Sequence, residues 1–368
     1  MVSVRGDCCG FGACIGGGLI LSSKKTAKEG SGVIKIGAIV PLTSPIVGDW
    51  LNSGIDLAVD EINAKGGVSG KMIQVVYEDS MMDSKTAVTA FKKLTEIDNV
   101  DVIISANSQV AVPLKPLVEE KKIPMISALV AAPGFSVGND YVFRYHPSGD
   151  GEASMMLEYA QKELKINEVS IVYENNEYGV SVFNAMKKDF ENKGGKIISA
   201  EAINPDGKDV RTSLLKIAEK SPQAVYFVGN SNGYIESMKQ FKQLKINAVC
   251  LTAANIISVK PIESAEGCYF TNPEFAVDSK NETTKLFVSA YSKKYGKDPI
   301  YVNAEAYDMV YLIAEAVKTK GIKNIKDGLL GIGGFDATMG TISFDKNGDA
   351  LLPQRVGQVV NGKFVFNK

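Results

Sequence analysis

From Val33 onward, short β-branched runs alternate with windows whose apolar residues recur every three to four positions. The first unit reads as a strand over Ile34 to Val40, a Pro/Ser/Gly loop, and a helix from about Trp50 to Asn63. Ile55, Val59 and Ile62 give that helix one apolar face, and Gly66-Gly67 stops it. Strands follow at Ile73 to Tyr77, Val102 to Ser105 and Pro124 to Ser127, with helices over Ser84 to Glu96 and about Ser108 to Glu120. Strands and helices in strict alternation predict a parallel sheet covered by helices.

After Tyr141 to Pro147 the cycle restarts with a helix from Asp150, a strand over Val169 to Tyr173 and a helix carrying Phe183, Met186 and Phe190. It continues through a strand over Lys196 to Ile203, a helix around Ser213 to Ala218, a strand over Ala224 to Val228, a helix around Ile235 to Leu244 and a strand over Val249 to Thr252. Beyond Tyr269 to Pro273 the pattern turns helical, over Leu286 to Tyr295 and then at Tyr307, Val310, Tyr311, Ala314 and Val317. These helices need a sheet to cover, and the first sheet is the one lacking cover, so the chain is expected to return to it. The last strands, around Ile342 to Phe344 and Phe364 to Phe366, are expected to cross again. Two α/β lobes joined by several crossings form a hinge with a cleft between rigid bodies.

A length of 368 residues agrees with two domains, and 45% hydrophobic with 23% charged residues describes a chain that folds. Lys and Arg number 41 against 42 Asp and Glu, so no basic field exists to hold nucleic acid. His146 is the only histidine. Base-activated Ser or Cys triads and imidazole metal sites therefore lose their usual partner, and neither a catalytic centre, a metal nor a cofactor is expected. His146 itself, at the first crossing, reads as a hinge or packing residue. No GKS/T phosphate loop exists, Gly328 to Gly334 does not follow a strand of a βαβ unit, and Asp345 to Asp349 reads as a hairpin turn.

Met1 to Gly32 is a Gly-rich appendage rather than core. It reads as a degenerate secretory signal, with Arg5 as the charged region, Phe11 to Leu21 as the apolar region and Cys14 as a lipid acceptor, or equally as a damaged or wrongly started leader. Cys8, Cys9 and Cys14 lie in it, which leaves Cys250 and Cys268 in the body.

In open parallel sheets, ligands sit beyond the carboxyl ends of the strands, where loops lead into helix N-termini. The third strand ends in Ser105-Ala106-Asn107-Ser108-Gln109, small and uncharged. Ser108 reads as a helix N-cap, either for capping alone or to hold a ligand carboxylate with the following N–H groups, beside Asn107 and Gln109. Leu129 and Ala131, after strand four, offer backbone groups. Tyr178 opens a helix on the cleft side of the second half, Asn230 stands in the matching loop after Val228, which reads equally as an ordinary turn, and Trp50 is placed either to stack on an apolar ligand group or to pack at the surface.

The chain resembles the type I periplasmic binding proteins of the leucine/isoleucine/valine-binding class, which serve ABC importers, from about Ile34 to Phe366. The resemblance rests on Gly54 with Ala58 to Gly70, Ser127 to Pro133, Phe143-Arg144, Tyr178-Gly179, Ser264 to Gly267 and Gly340 to Asp349. It implies two Rossmann-like lobes with parallel central sheets and three crossings, near Tyr145 to Ser148, Thr271 to Glu274 and Asp349 to Pro353. The chain then divides into a leader (1–32), a first lobe (33–146 plus 273–350) and a second lobe (147–272 plus 351–368), to which the C-terminal strands return. It also implies a monomeric, non-enzymatic, extracytoplasmic protein, periplasmic or lipid-anchored. Such a protein captures an amino acid, carboxylate or amide, a branched-chain amino acid first among them, and delivers it to an ABC permease. A cytoplasmic amide or amino-acid sensor of the same fold is the alternative.

Residue by residue, the family's carboxylate-binding serine falls on Ser108 and its tyrosine before glycine on Tyr178. Ala131 replaces a threonine and Asn230 a second aromatic. The glutamate that pairs with a ligand ammonium should fall near Ala253 to Asn255, where no acid stands, so Glu305 or Asp49 must supply it or the ligand has no α-amino group. The family's common disulfide near this site also lacks its cysteines, since Met81-Met82 and Asn107 occupy the region. Cys250 and Cys268 are left to pair with each other or to be simply buried.

Overall fold

A computed structural model of the protein describes residues 32–44 and 47–366. The appendage, apart from Gly32, and its three cysteines lie outside the described residues.

The first half runs β1 (Val33–Val40), α1 (Gly48–Ala64), β2 (Met72–Asp79), α2 (Ser84–Glu96), β3 (Val102–Ala106), α3 (Ser108–Ala111), a 3-10 turn, α4 (Lys115–Lys121), β4 (Met125–Ala128) and β5 (Val142–Arg144). These strands form one parallel sheet in the order β2-β1-β3-β4-β5. Their continuous apolar runs suit a sheet buried on both faces. The single helix expected over Ser108 to Glu120 is instead broken into α3, the turn over Val112–Leu114 and α4. Pro113 and Pro116 carry no N–H to continue a helical ladder, so each begins a new piece.

The second half runs α5 (Gly149–Lys162), β6 (Glu168–Glu174), α6 (Glu177–Asn192), β7 (Lys196–Ile203), α7 (Arg211–Glu219), β8 (Ala224–Val228), α8 (Asn232–Gln243), β9 (Val249–Thr252) and β10 (Tyr269–Pro273). A disulfide joins Cys250 in β9 to Cys268 just before β10, closing a separation of 18 residues. After β10 come α9 (Glu282–Tyr295), α10 (Tyr301–Lys320), α11 (Ile325–Leu330), the hairpin of β11 (Gly333–Ala337) and β12 (Gly340–Ser343), then β13 (Gln354–Val360) and β14 (Lys363–Phe366).

α9 and α10 return to the first sheet, as their apolar faces require. One core cluster unites Ile36, Ile104 and Phe143 of that sheet with Phe287 of α9 and Leu312 and Ile313 of α10. α1 and α10 approach so closely at Gly54 that a Cβ there would lie 2.3 Å from the Asn303 carbonyl oxygen, which is why glycine stands at that position.

The second sheet has the order β14-β13-β10-β9-β8-β6-β7. It departs from the expected parallel arrangement at one edge: β13 is antiparallel to β10, and β14 to β13. The chain arrives there from the opposite side and closes with a tight turn, which only antiparallel pairing allows. Phe364 to Phe366 thus belongs to the second sheet, whereas Ile342 stays with the core of the first.

The first and third crossings are tied together. The Arg144 N–H donates to the Gly348 carbonyl at 2.9 Å and the Ala350 N–H to the Arg144 carbonyl at 2.8 Å. The buried Arg144 guanidinium reaches Asp349 at 2.5 Å and the Ala132 carbonyl at 3.0 Å. Asp345 accepts the N–H groups of Asn347 and Asp349, so this acidic stretch is a turn, as its sequence implies.

Candidate ligand-binding cleft

The carboxyl ends of both sheets face one cleft. Trp50, Asn107, Leu129 and Ala131 line it from the first half, and Tyr178 and Asn230 from the second. The halves touch around it: the Gly149 N–H donates to the Ala131 carbonyl at 2.7 Å, and Ala131 packs in the apolar cluster of Tyr178 and Val182.

Two of the residues singled out in the sequence lie elsewhere. Ser108 is buried behind the wall, where its Oγ accepts the Ala132 N–H at 3.2 Å. The N-cap position belongs to Asn107, which makes no side-chain capping bond, so Ser108 is the first helical residue and not the cap. Gln109 is exposed, its carbonyl taken by the Ser84 hydroxyl at 2.9 Å, because the helical turn carries it to the outer face.

The first wall is held by its backbone. Met82, Asn107 and Leu129, all lining the cleft, have φ of 56°, 70° and 55°. A left-handed conformation costs a residue with a Cβ about 1–2 kcal/mol, and such positions gather where loops must present groups to a ligand. Asn107 Nδ2 donates to Met82 Sδ at 3.2 Å. Trp50 is fixed through its carbonyl, which accepts from Asn303 at 2.8 Å while Asn303 Oδ1 takes the Ile300 N–H at the start of α10.

The second wall is held by side chains. Glu174, fully buried at the end of β6, accepts the N–H groups of Asn230 (3.1 Å), Ser231 (3.0 Å) and Tyr234 (3.0 Å), the Ser231 hydroxyl (2.8 Å) and Asn176 Nδ2 (3.0 Å). It serves as the anion at the N-terminus of α8, whose N-cap Ser231 makes no capping bond of its own. Asn255 Nδ2 donates to the Tyr178 hydroxyl at 3.0 Å and to the Gly229 carbonyl at 2.9 Å. Burial holds the Tyr178 pKa well above that of free tyrosine, so it stays a phenol whose own proton is available to the cleft.

No acid lines the cleft among the described residues. Asp49 is excluded as a partner for a ligand ammonium, being exposed and paired with Lys297 at 2.9 Å. Glu305 is fully buried with Oε1 2.7 Å from His146 Nδ1, and His146, not Glu305, meets the cleft. Glu152 is buried close by, and desolvation, opposed by His146 and the Ala254 N–H, pushes its pKa up to about 7. His146 stands at the crossing as expected but also faces the cleft, with the Tyr301 ring stacked beside it at 6.3 Å.

His146, Asn255 and Tyr301 are among the lining residues that sequence reasoning did not assign to the site, as are Met82, Ile257 and Val302. Asn255 lay in a stretch inspected only for an acid. Tyr301 opens a helix of the returning segment and carries no local signal.

The model of the family described as periplasmic binding protein matches residues 33–363. The chain belongs to this family. Its fold and relatives are those of the type I leucine/isoleucine/valine-binding class. It is 25% identical over 343 residues to a Leu/Ile/Val-binding protein homolog of Brucella melitensis, covering 87% of this chain and 89% of that one. It is 26% identical over 332 residues to the leucine-, isoleucine-, valine-, threonine- and alanine-binding protein of Pseudomonas aeruginosa, covering 86% and 87%. Among solved structures, the leucine-binding protein LivK of Thermotoga maritima superposes with a TM-score of 0.84 at 26% identity over 91% of this chain and 98% of that one. Within this periplasmic binding protein, no described helix is long and apolar enough to cross a membrane.

Proposed function

We propose that this protein is an extracytoplasmic solute-binding component of an ABC importer. It acts as a monomer, takes a small organic ligand (an amino acid, carboxylate or amide) into the cleft between its halves, and presents the closed form to a membrane permease. The observation that carries the reading is the cleft itself, lined from both sheets and with no Asp, Glu, Lys or Arg among its described lining residues. Residues 33–146 with 273–350 and residues 147–272 with 351–368 move as rigid bodies about the three crossings, ligand contacts to both halves favouring the closed state. The Cys250–Cys268 disulfide supports an oxidising compartment, and the named relatives favour import over an intracellular sensor.

Thermal melting in the presence of amino acids, oxo acids, aromatic acids and amides tests the proposal. A ligand at 100 times its dissociation constant adds about 2.7 kcal/mol of stability. The branched-chain amino acids are the first compounds to try because the relatives carry their names. Unchanged melting with all three removes that choice, and unchanged melting with the whole panel removes the solute-binding reading.

A further inference from the structure

No Asp, Glu, Lys or Arg lines the cleft among the described residues, so His146 is its one readily ionisable group. His146 Nδ1 is committed to Glu305 Oε1 at 2.7 Å, and its Nε2 makes no hydrogen bond within the described chain. Glu305 is fully buried and its Oε2 has no partner, so nothing beyond His146 and the Leu129 N–H compensates that carboxyl group.

A hydrogen therefore lies between Nδ1 and Oε1. Burial works against an imidazolium, yet the charge and hydrogen bond of Glu305 raise the His146 pKa on balance. Burial likewise raises that of Glu305 against the pull of His146. Both directions favour a pair with no net charge, which holds one proton more than a neutral imidazole beside a carboxylate. If that proton rests on Nδ1, the ring is an imidazolium with hydrogen on both nitrogens. If it rests on Glu305, that acid donates to Nδ1 and the neutral ring carries its hydrogen on Nε2. In either arrangement Nε2 is a donor.

We propose that the ligand is an organic carboxylate without an α-amino group, and that His146 recognises it by donating from Nε2 to a carboxylate oxygen, with Glu305 as the positioning residue; this rests on the solute-binding reading of the cleft. The Tyr178 hydroxyl, which already accepts from Asn255, supplies a second donor. Trp50, Leu129, Ile257 and Val302 supply apolar surface for the rest of the molecule. A ligand ammonium would be desolvated with no carboxylate among the described lining residues to receive it.

The test titrates the untagged protein calorimetrically with 4-methyl-2-oxopentanoate, benzoate, benzamide and leucine, of which the first and last share a skeleton and differ at the α-position. At least one amine-free acid is expected to bind about tenfold or more tightly than leucine. His146→Phe is expected to weaken that acid by about tenfold or more, and His146→Gln, which keeps an amide donor, to recover part of the loss. Because the chain has one histidine, nitrogen-15 spectra of the labelled imidazole report this site alone. The acid should shift Nε2 while its proton stays in place, and Glu305→Gln should alter the Nδ1 resonance without ligand. An unperturbed Nε2, or wild-type affinity in a His146→Phe protein that melts normally, overturns the role of His146; if His146→Phe does not fold, the spectra decide. Tighter binding of leucine or of a neutral amide than of both acids overturns the ligand class and leaves the solute-binding reading standing. Failure of amino acids, acids and amides alike overturns both.

Discussion

The two walls of the cleft solve one positioning problem in different ways. In the first half, Met82, Asn107 and Leu129 meet the cleft through left-handed backbone, and the Asn107 amide has only the weak acceptor Met82 Sδ. In the second half, the loop around Asn230 hangs on one buried carboxylate, Glu174, with five donors, and Tyr178 is clamped by Asn255. Strain in the first wall is borne by a sheet packed on both faces, whereas the second wall depends on one buried side chain and the five donors it satisfies. One wall should tolerate substitution and the other should not.

The largest effect is expected at Glu174. Glu174→Ala leaves the Asn230, Ser231 and Tyr234 N–H groups without an acceptor and should cost about 3–5 kcal/mol in urea unfolding. A loss below about 1 kcal/mol would show that the side-chain account of this wall is wrong.

Glu152 sharpens the contrast within the second half, because it is buried without Glu174's complement of donors and its Oε1 has no partner. Its folded pKa of about 7 lies above the ordinary carboxylate value of 4.5, so the native state holds the proton more tightly than the unfolded chain does. The resulting stabilisation is complete below pH 4.5 and disappears as pH rises toward 7. Glu152→Gln should therefore change little at acid pH and raise stability at pH 8 by about 3 kcal/mol, read from denaturant melts at both pH values. Equal effects at the two would refute the shift.

The smallest effect is expected in the first wall. Asn107→Gly removes a side chain from φ 70° at the cost of one weak hydrogen bond, and the folded state should change by no more than about 1 kcal/mol, toward greater stability. A loss comparable to that of Glu174→Ala would erase the distinction between the walls.

Much of the fold was legible because its signals are local. The apolar periodicity of Ser84 to Glu96 and the β-branched run of Val249 to Thr252 match α2 and β9 at both ends. The break of the helix after Ser108 was also written locally, in Pro113 and Pro116, yet apolar spacing alone carried the expectation past them. Trp50, Asn107, Leu129, Ala131, Tyr178 and Asn230 were legible as lining residues because strand ends in parallel sheets point to one side. Ser108 and Gln109 do not line the cleft, since a helical turn sends consecutive residues in different directions, which a strand-end argument does not resolve.

By itself the amino-acid sequence determined two α/β halves with several crossings, a neutral cleft at the strand ends, and a single histidine with no acid at the family's ammonium position. Only the tertiary structure decided which groups complete one another: His146 with Glu305 across 159 residues, Asn255 with Tyr178 across 77, and Cys250 with Cys268. Backbone periodicity is set by neighbours in the chain, whereas whether a buried carboxyl keeps its proton depends on the donors that distant segments bring within hydrogen-bond reach.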